Sequence, residues 1–423
     1  MAILRRIVLI GLFAACSFAA TAAAQEELND DRKVERYREI TQTLTESIYR
    51  RLNSIHKKLA EENHQEAIAA LVKMEMLPLR KYEEALVFQT FGFAYVQQGK
   101  YQLALEYFEK CLAVDSLPGA AQQGMLYSLS GLYAAEGHYI KAIETMRRWF
   151  RFEQDPIADA YMVIASSFAE LQRFEEALPY VRKAIQIAEE PRENWYLLEL
   201  AIYFDKERYR EAADLLRTLV QFWPGSAKYW NMLVAAHLEL NQDKQALDTM
   251  MVAYTKGLIE DEQKIVALAQ LNMVLDIPYT GGAILEKAIA DGNVEADKHN
   301  LDILLQAWLS SKEYGRAIRT IDRLGPLAED GSYFMQKAGI HNELGEWAQV
   351  PVAVNAALEM GLKDPTTAYM LAGMAYTEMR QFDKAVVAFR DAGASGNDKQ
   401  RKNATAWIEF VQGKIAVQSA ALN

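Results

Sequence analysis

An aromatic residue followed three positions later by a small one recurs along most of this chain, about every 35 residues. The clear copies are Tyr101/Ala104, Tyr139/Ala142, Phe174/Ala177, Tyr209/Ala212, Tyr314/Ala317 and Phe382/Ala385. Weaker copies are His64/Ala67, Asp243/Ala246, Tyr279/Gly282 and Trp347/Val350. A period of this length belongs to units that cannot bury an apolar face alone and must stack on their neighbours. Within one unit Phe88, Phe91 and Tyr95 stand at i, i+3 and i+7, one stripe of a first helix, while Ala104, Phe108 and Cys111 form the facing stripe of a second. The small residue at Ala104 lets the two axes approach closely. Pro118, Pro156, Pro191 and Pro224 fall after second helices, where a residue without an N–H ends a helix without breaking its interior.

These spacings predict an all-α fold, a superhelix (α-solenoid) of about ten helix pairs over residues 53–396. The chain has 423 residues, 51% of them hydrophobic, which excludes a disordered chain. Its net charge of −11 argues against nucleic-acid partners, which need clustered positive charge. Residues 1–24 read as a signal peptide: Arg5 and Arg6, the apolar run Ile7 to Ala15, and Ala22-Ala23-Ala24 before Gln25. Phe13-Ala14-Ala15-Cys16 loosely resembles a lipoprotein processing box, so lipid anchoring through Cys16 is the alternative. Either route exports the chain, and a periplasmic location is the expectation. No later apolar run is long enough for a transmembrane helix in the mature chain. Cys111, left without a disulfide partner, reads as a small core residue.

Residues 25–52 read as a basic leading helix, part of a longer polar helix from Asp30 to Ala60. Arg32, Lys33, Arg36, Arg38, Arg50, Arg51, Lys57 and Lys58 outnumber Glu35, Glu39 and Glu46 there. The stretch suits docking on an acidic partner or an anionic membrane surface, or is a solvated face. Residues 397–423 read as a capping helix and tail, with Trp407, Ile408 and Val411 covering the last stripe.

The pattern contains little chemistry. The six histidines lack a second His at i+3 or i+4, and His237 and His341 occupy the slot of Tyr95 and Tyr376. No metal, no cofactor and no catalytic residue is expected, and Gly281-Gly282 reads as a close-packing or bend site. In a stack of helix pairs the first helices line the concave face, and residues off the packing stripe point into it. The partner-binding candidates there are Met162, Asn194, Lys228, Asn231, Met232, Asp302, Gln306, Gln336, Asn342 and Met370, with Val163, Leu198, Met335 and Met374 beside them. Methionine and amide side chains form an adaptable surface for a peptide or helix.

Phe88, Phe91-Gly92 and Tyr95, then Ala104, Phe108 and Cys111, resemble the tetratricopeptide repeat, a resemblance that implies a right-handed superhelix. Pro191-Arg192-Glu193-Asn194-Trp195, Lys228-Tyr229-Trp230, the run from Gln245-Ala246-Leu247 through Ala253-Tyr254 to Gly257-Leu258, and Ile277-Pro278-Tyr279 with Leu285-Glu286-Lys287 resemble a narrower group. That group is the exported tetratricopeptide proteins of Gram-negative bacteria encoded beside TonB, ExbB and ExbD. The resemblance implies a non-catalytic periplasmic interaction scaffold, an accessory to TonB-dependent energy transduction and iron-chelate uptake, with TonB/ExbB/ExbD-type components as partners. An envelope-assembly or polysaccharide-export scaffold, lipid-anchored at Cys16, is the alternative.

Overall fold

The computed structural model describes residues 28–29, 34–37 and 43–422; the expected signal peptide and Cys16 lie outside them. The described residues form 21 α-helices, one short 3-10 turn and no strand. The chain divides into two compact units, Met1–Phe222 and Trp223–Asn423. The first holds five helix pairs: α1 (Glu46–Ala60) with α2 (His64–Glu75), α3 (Lys81–Gln97) with α4 (Tyr101–Ala113), α5 (Gly119–Ala135) with α6 (Tyr139–Phe150), α7 (Ala158–Glu170) with α8 (Phe174–Ile187), and α9 (Glu193–Asp205) with α10 (Tyr209–Phe222). The second holds five more: α11 (Ala227–Glu239) with α12 (Asp243–Thr255), α13 (Glu262–Val274) with α14 (Pro278–Ala290), α15 (Lys298–Ser310) with α16 (Tyr314–Leu324), α17 (Ser332–Glu343) with α18 (Val350–Met360), and α19 (Pro365–Glu378) with α20 (Phe382–Ser395). A final helix, α21 (Asp398–Leu422), follows. Inside each unit every helix packs on the next in chain order, as a stack of helix pairs does.

The repeat motif marks the start of second helices. In eight pairs its first residue opens the helix, and its small residue, one turn in, is buried. Ala67, Ala104, Ala142, Ala177, Ala212, Ala246, Ala317, Val350 and Ala385 are all 0% exposed. The two departures have proline causes. Pro278 takes the first position of α14, one residue before Tyr279. Pro351 lacks an N–H and would crowd the carbonyl four residues back, so α18 starts at Val350 and Trp347 stays in the turn before it.

Every turn inside a pair is built the same way. One residue takes the left-handed conformation, with φ between 52 and 77° at Glu62, Gly99, Gly137, Gln172, Glu207, Asn241, Asp276, Lys312, Gly345 and Arg380. The next residue's N–H then donates to the carbonyl five positions back at 2.8–2.9 Å in all ten turns, as from Lys100 to Tyr95 and from Gln381 to Tyr376. This Schellman closure satisfies carbonyls that a helix end would otherwise leave unpaired. His237 and His341 accept it too, confirming their place in the tyrosine slot. Their rings meet Gln242 at 2.8 Å and Glu346 at 2.6 Å.

Between the helices of a pair, glycine stands where a ring from the second helix fills the space. A Cβ on Gly92 would lie 2.1 Å from the Phe108 ring, and one on Gly373 2.6 Å from Phe389. Gly281 and Gly282 are close-packing sites as well, against Ala269 and Trp308. Cys111 is fully buried, its thiol donating to the Ala85 carbonyl at 3.1 Å, and burial pushes its pKa up to about 12, so it is a core residue. On α21, Trp407, Ile408, Val411 and Ile415 lie on Val386 and Phe389 of α20, with the Trp407 and Phe389 rings stacked at 5.4 Å.

The leading helix is shorter than the expected one. Residues 34–37 and 43–45 are not helical, and α1 begins at Glu46 and runs through the expected boundary at 52. Tertiary partners take the backbone instead. The Thr45 N–H and hydroxyl both donate to the buried Glu83 carboxylate, at 2.9 and 2.8 Å, and Glu35 donates its N–H to the Arg151 carbonyl. Of the basic residues there, Arg50, Lys57 and Lys58 form ion pairs with Glu46, Glu61 and Glu66 on the exposed side of α1 and α2. That pairing fits the solvated reading of α1.

Two measurements check this packing. Gly92→Ala drives a methyl into Phe108 and should cost about 1–3 kcal/mol in chemical denaturation. Gly131→Ala on α5, where nothing lies within 4 Å, should instead gain about 0.5–1 kcal/mol. For Glu83, burial acts to raise the carboxyl pKa, but the Thr45 and Arg80 N–H groups and the Thr45 hydroxyl outweigh it and the net shift is downward. A depressed pKa means that its stabilisation is complete above the unfolded value of about 4.3 and is lost as pH falls through the folded value. Glu83→Gln should therefore cost about 1–3 kcal/mol at pH 7, and the gap to wild type should close on acidification.

Candidate partner-binding surface

Two registers on the first helices carry the candidate surface, the position after Gly92 and the position one turn before it. In the first unit these are Gln89 and Phe93 on α3, Tyr127 and Gly131 on α5, and Met162 and Ser166 on α7. In the second they are Asn231 on α11, Val266 and Gln270 on α13, Asp302 and Gln306 on α15, Met335 on α17, and Met370 and Met374 on α19. Neighbouring first helices touch: α5 packs on α7, α13 on α15, and α17 on α19. Side chains of these registers are thus brought together on α5 with α7 in the first unit, and on α13 with α15 and α17 with α19 in the second, Val266 among them being buried.

The ten expected residues divide between the units, Met162 and Asn194 in the first and the other eight in the second. Asn194, Lys228, Gln306 and Gln336 are exposed, and Met162, Asn231, Met232 and Asn342 half-buried. Two others are engaged within the fold. Met370, with Met374, packs against the cluster of Val386 and Phe389, as Met335 does against Val350 and Val354. Asp302 accepts from the Tyr333 hydroxyl at 2.6 Å and the Lys298 ammonium at 3.1 Å, tying α15 to α17. The strongest feature of the first unit was not anticipated: Phe93, 45% exposed, sits in the same register as Gln306. Tyr127, in the register of Asn231, lies near Asp159 and Arg192, which pair at 2.5 Å. An open cleft of about 660 Å3 borders that pair and includes Ile157, Tyr161, Lys183 and Ile187. Alignment on Gly92 would have found Phe93 and Tyr127, but aromatic residues on a first helix read as packing residues.

The ionisable groups act as stitches between pairs. Tyr133 on α5 and Lys141 on α6 both donate to Glu109 on α4, and Lys141 and Tyr133 hold that carboxyl below its usual range. Arg182 on α8 donates to Glu199 at 3.1 Å and to the Tyr203 hydroxyl at 3.0 Å; that hydroxyl donates to Glu199 at 2.6 Å. Burial, with the Glu199 carboxylate, pushes Tyr203 up to about 12. In each stitch a tyrosine and a cation meet on one oxygen of the carboxylate, an arrangement that ties neighbouring pairs together. Among the described residues no group of three or more His, Cys, Asp or Glu side chains could hold a metal ion, and no helix is long and apolar enough to cross a membrane. Asp302→Ala should thus lower stability by about 1–2 kcal/mol through the lost Tyr333 bond, read in the denaturant midpoint.

Three stretches, residues 80–116, 158–191 and 366–392, match the model of the tetratricopeptide repeat family. No curated protein matches the sequence. Among solved structures, one of the MamA protein is 17% identical over 41% of this chain and 92% of its own, with a TM-score of 0.35. YrrB, described as a tetratricopeptide protein with an unusual peptide-binding site, is 16% identical over 43% and 89%, with a TM-score of 0.34. A tetratricopeptide repeat protein from Parabacteroides merdae is 12% identical over 60% and 98%, with a TM-score of 0.29. The matched stretches coincide with the pairs α3–α4, α7–α8 and α19–α20, and the other seven pairs share their turn and their buried small residue.

Proposed function

We propose that this protein is a non-catalytic, exported interaction scaffold that serves TonB-type energy transduction by binding a periplasmic segment of a TonB, ExbB or ExbD-type component. The observation that carries the scaffold reading is the set of outward residues on the first helices, with Phe93 45% exposed, beside carboxylates engaged in stitches between pairs. Tetratricopeptide repeats generally bind proteins and peptides through such residues. Support for export comes from Arg5, Arg6, the Ile7 to Ala15 run and Ala22-Ala23-Ala24. Support for the TonB partner comes from the resemblance carried by Pro191 to Trp195, Lys228 to Trp230 and Ile277 to Tyr279.

Phe93 with Met162 in the first unit, and Asn231 with Met232 in the second, each gain affinity mainly by apolar burial, at roughly 25 cal/mol per Å2. Binding should accordingly persist at moderate salt, whereas docking through the cations of α1 would weaken as screening rises. The test is crosslinking and pull-down from envelope extracts with wild type, Phe93→Ala, and Asn231→Ala combined with Met232→Ala. Recovery of energy-transduction proteins by wild type, and their loss from either variant, is the expected outcome. A full deletion that leaves iron-chelate uptake untouched, with no such partner recovered, would sink the TonB assignment. Mass spectrometry of the mature N-terminus should find Gln25; a lipidated Cys16 would favour the envelope-assembly or polysaccharide-export scaffold.

A further inference from the structure

Residues 34–37 form a segment ahead of α1 that does not hang free of the repeats. It enters a slot at the edge of the third pair. The Tyr37 ring stacks on Phe152, centroids 4.0 Å apart and planes 17° from parallel. Its hydroxyl donates to Gln123 Oε1 at 2.9 Å, and the Gln123 amide is itself held by donating to the Trp149 carbonyl at 3.0 Å and to Glu153 at 3.3 Å. Two residues upstream, the Glu35 N–H donates to the Arg151 carbonyl at 2.8 Å. Gly119 forms the floor: a Cβ there would come within 2.7 Å of the Tyr37 Cβ. Burial pushes the Tyr37 hydroxyl up to about 12, so it stays a donor throughout the physiological range.

The slot is particular to this pair. At the repeat positions of Gly119, Gln123 and Phe152, the second pair carries Lys81, Ala85 and Val114, and the fourth carries Gln154, Ala158 and Ile187. Neither set offers a glycine floor, an amide acceptor and a ring to stack on. Three departures from the repeat therefore converge where one tyrosine lands.

Recognition here uses a main-chain N–H and a tyrosine two residues later, both on a segment joined to the repeats by the seven residues between Tyr37 and Thr45. We propose that the slot is an exchangeable peptide site, filled in cis by Glu35–Tyr37 and taken in trans by the same segment of a second copy of this chain. The ligand is identical in the two arrangements, so cis and trans occupancy differ in tether entropy and not in contacts. A short tether holds its end at an effective concentration in the millimolar range, so cis occupancy dominates in dilute solution. Trans occupancy takes over where copies crowd together or where a slot has lost its own ligand.

Complementation between two full-length variants tests this. Tyr37→Ala leaves a usable slot with a disabled segment; Gly119→Leu fills the slot and frees an intact segment. Each alone should sediment as a monomer, and the mixture should form a one-to-one heterodimer. A fluorescent synthetic peptide of residues 28–43 should bind the Tyr37→Ala chain, and adding Gln123→Ala to that chain should weaken it about tenfold, the loss of one buried hydrogen bond. Circular dichroism establishes that each variant keeps its helices, and Gln123→Ala replaces Gly119→Leu if the latter does not. Folded variants that remain monomeric when mixed overturn the exchange between copies. A peptide that binds the Tyr37→Ala chain no better than the Gly119→Leu chain overturns the slot as a recognition site.

Discussion

The close approach of two helices within each pair is the contact on which the rest of this fold depends. Where Phe108 and Phe389 lie against the first helix, Gly92 and Gly373 are the residues that make room. Where Ser130 stands in that register, its hydroxyl donates to the Ala142 carbonyl at 2.8 Å, so a polar atom is buried but satisfied. The buried small residue one turn into the second helix and the left-handed turn before it keep the two helices in one register in pair after pair. Because a pair cannot cover its own stripe, this geometry also dictates that neighbours stack, and that α21 closes the last pair with Trp407 and Val411.

The same register decides which side chains remain for a partner. Once the packing stripe and the turn have claimed their positions, the first helices offer the residue after Gly92, the one a turn earlier, and single positions such as Asn194, Lys228, Met232 and Gln336. Some of those are taken back by stitches between pairs, as Asp302 is by Tyr333 and Lys298. What remains is apolar and amide-rich within each unit: Phe93 and Met162 in the first, Asn231, Met232 and Gln306 in the second. Such a surface suits a segment that brings its own shape. The edge slot works differently, since a ring stack, an amide and a glycine floor select one tyrosine.

The helix pairs, the small residues and the terminal prolines were legible because each is set by spacing along the chain. Parts of the fold that rest on tertiary capture were not. The pattern from Asp30 to Ala60 is compatible with one polar helix, and nothing local in Val34 to Thr45 reveals that Arg151, Phe152 and Glu83 will claim its backbone and rings. Met370 and Asp302 lie in the outward register by sequence, yet Val386, Phe389 and Tyr333 turn them to internal use. The left-handed turn residues were equally hidden, since Glu62, Gln172, Glu207, Lys312 and Arg380 carry none of the glycine signal that usually marks such a site. The division after Phe222 leaves no trace either, because the repeat runs through it at an unchanged period.

Hydrogen exchange at the ten intra-pair turns tests the shared pair geometry most directly. The N–H groups of Asn63, Lys100, His138, Arg173, Arg208, Gln242, Ile277, Glu313, Glu346 and Gln381 all donate to a carbonyl five residues back. They should exchange slowly in the native state, far more slowly than the loop amides between pairs, and the turns at Ile277 and Glu346, beside the two irregular second helices, should be protected like the rest. Fast exchange confined to those two turns would mean that the irregular pairs are built differently. Fast exchange at most of the ten would contradict the account as a whole.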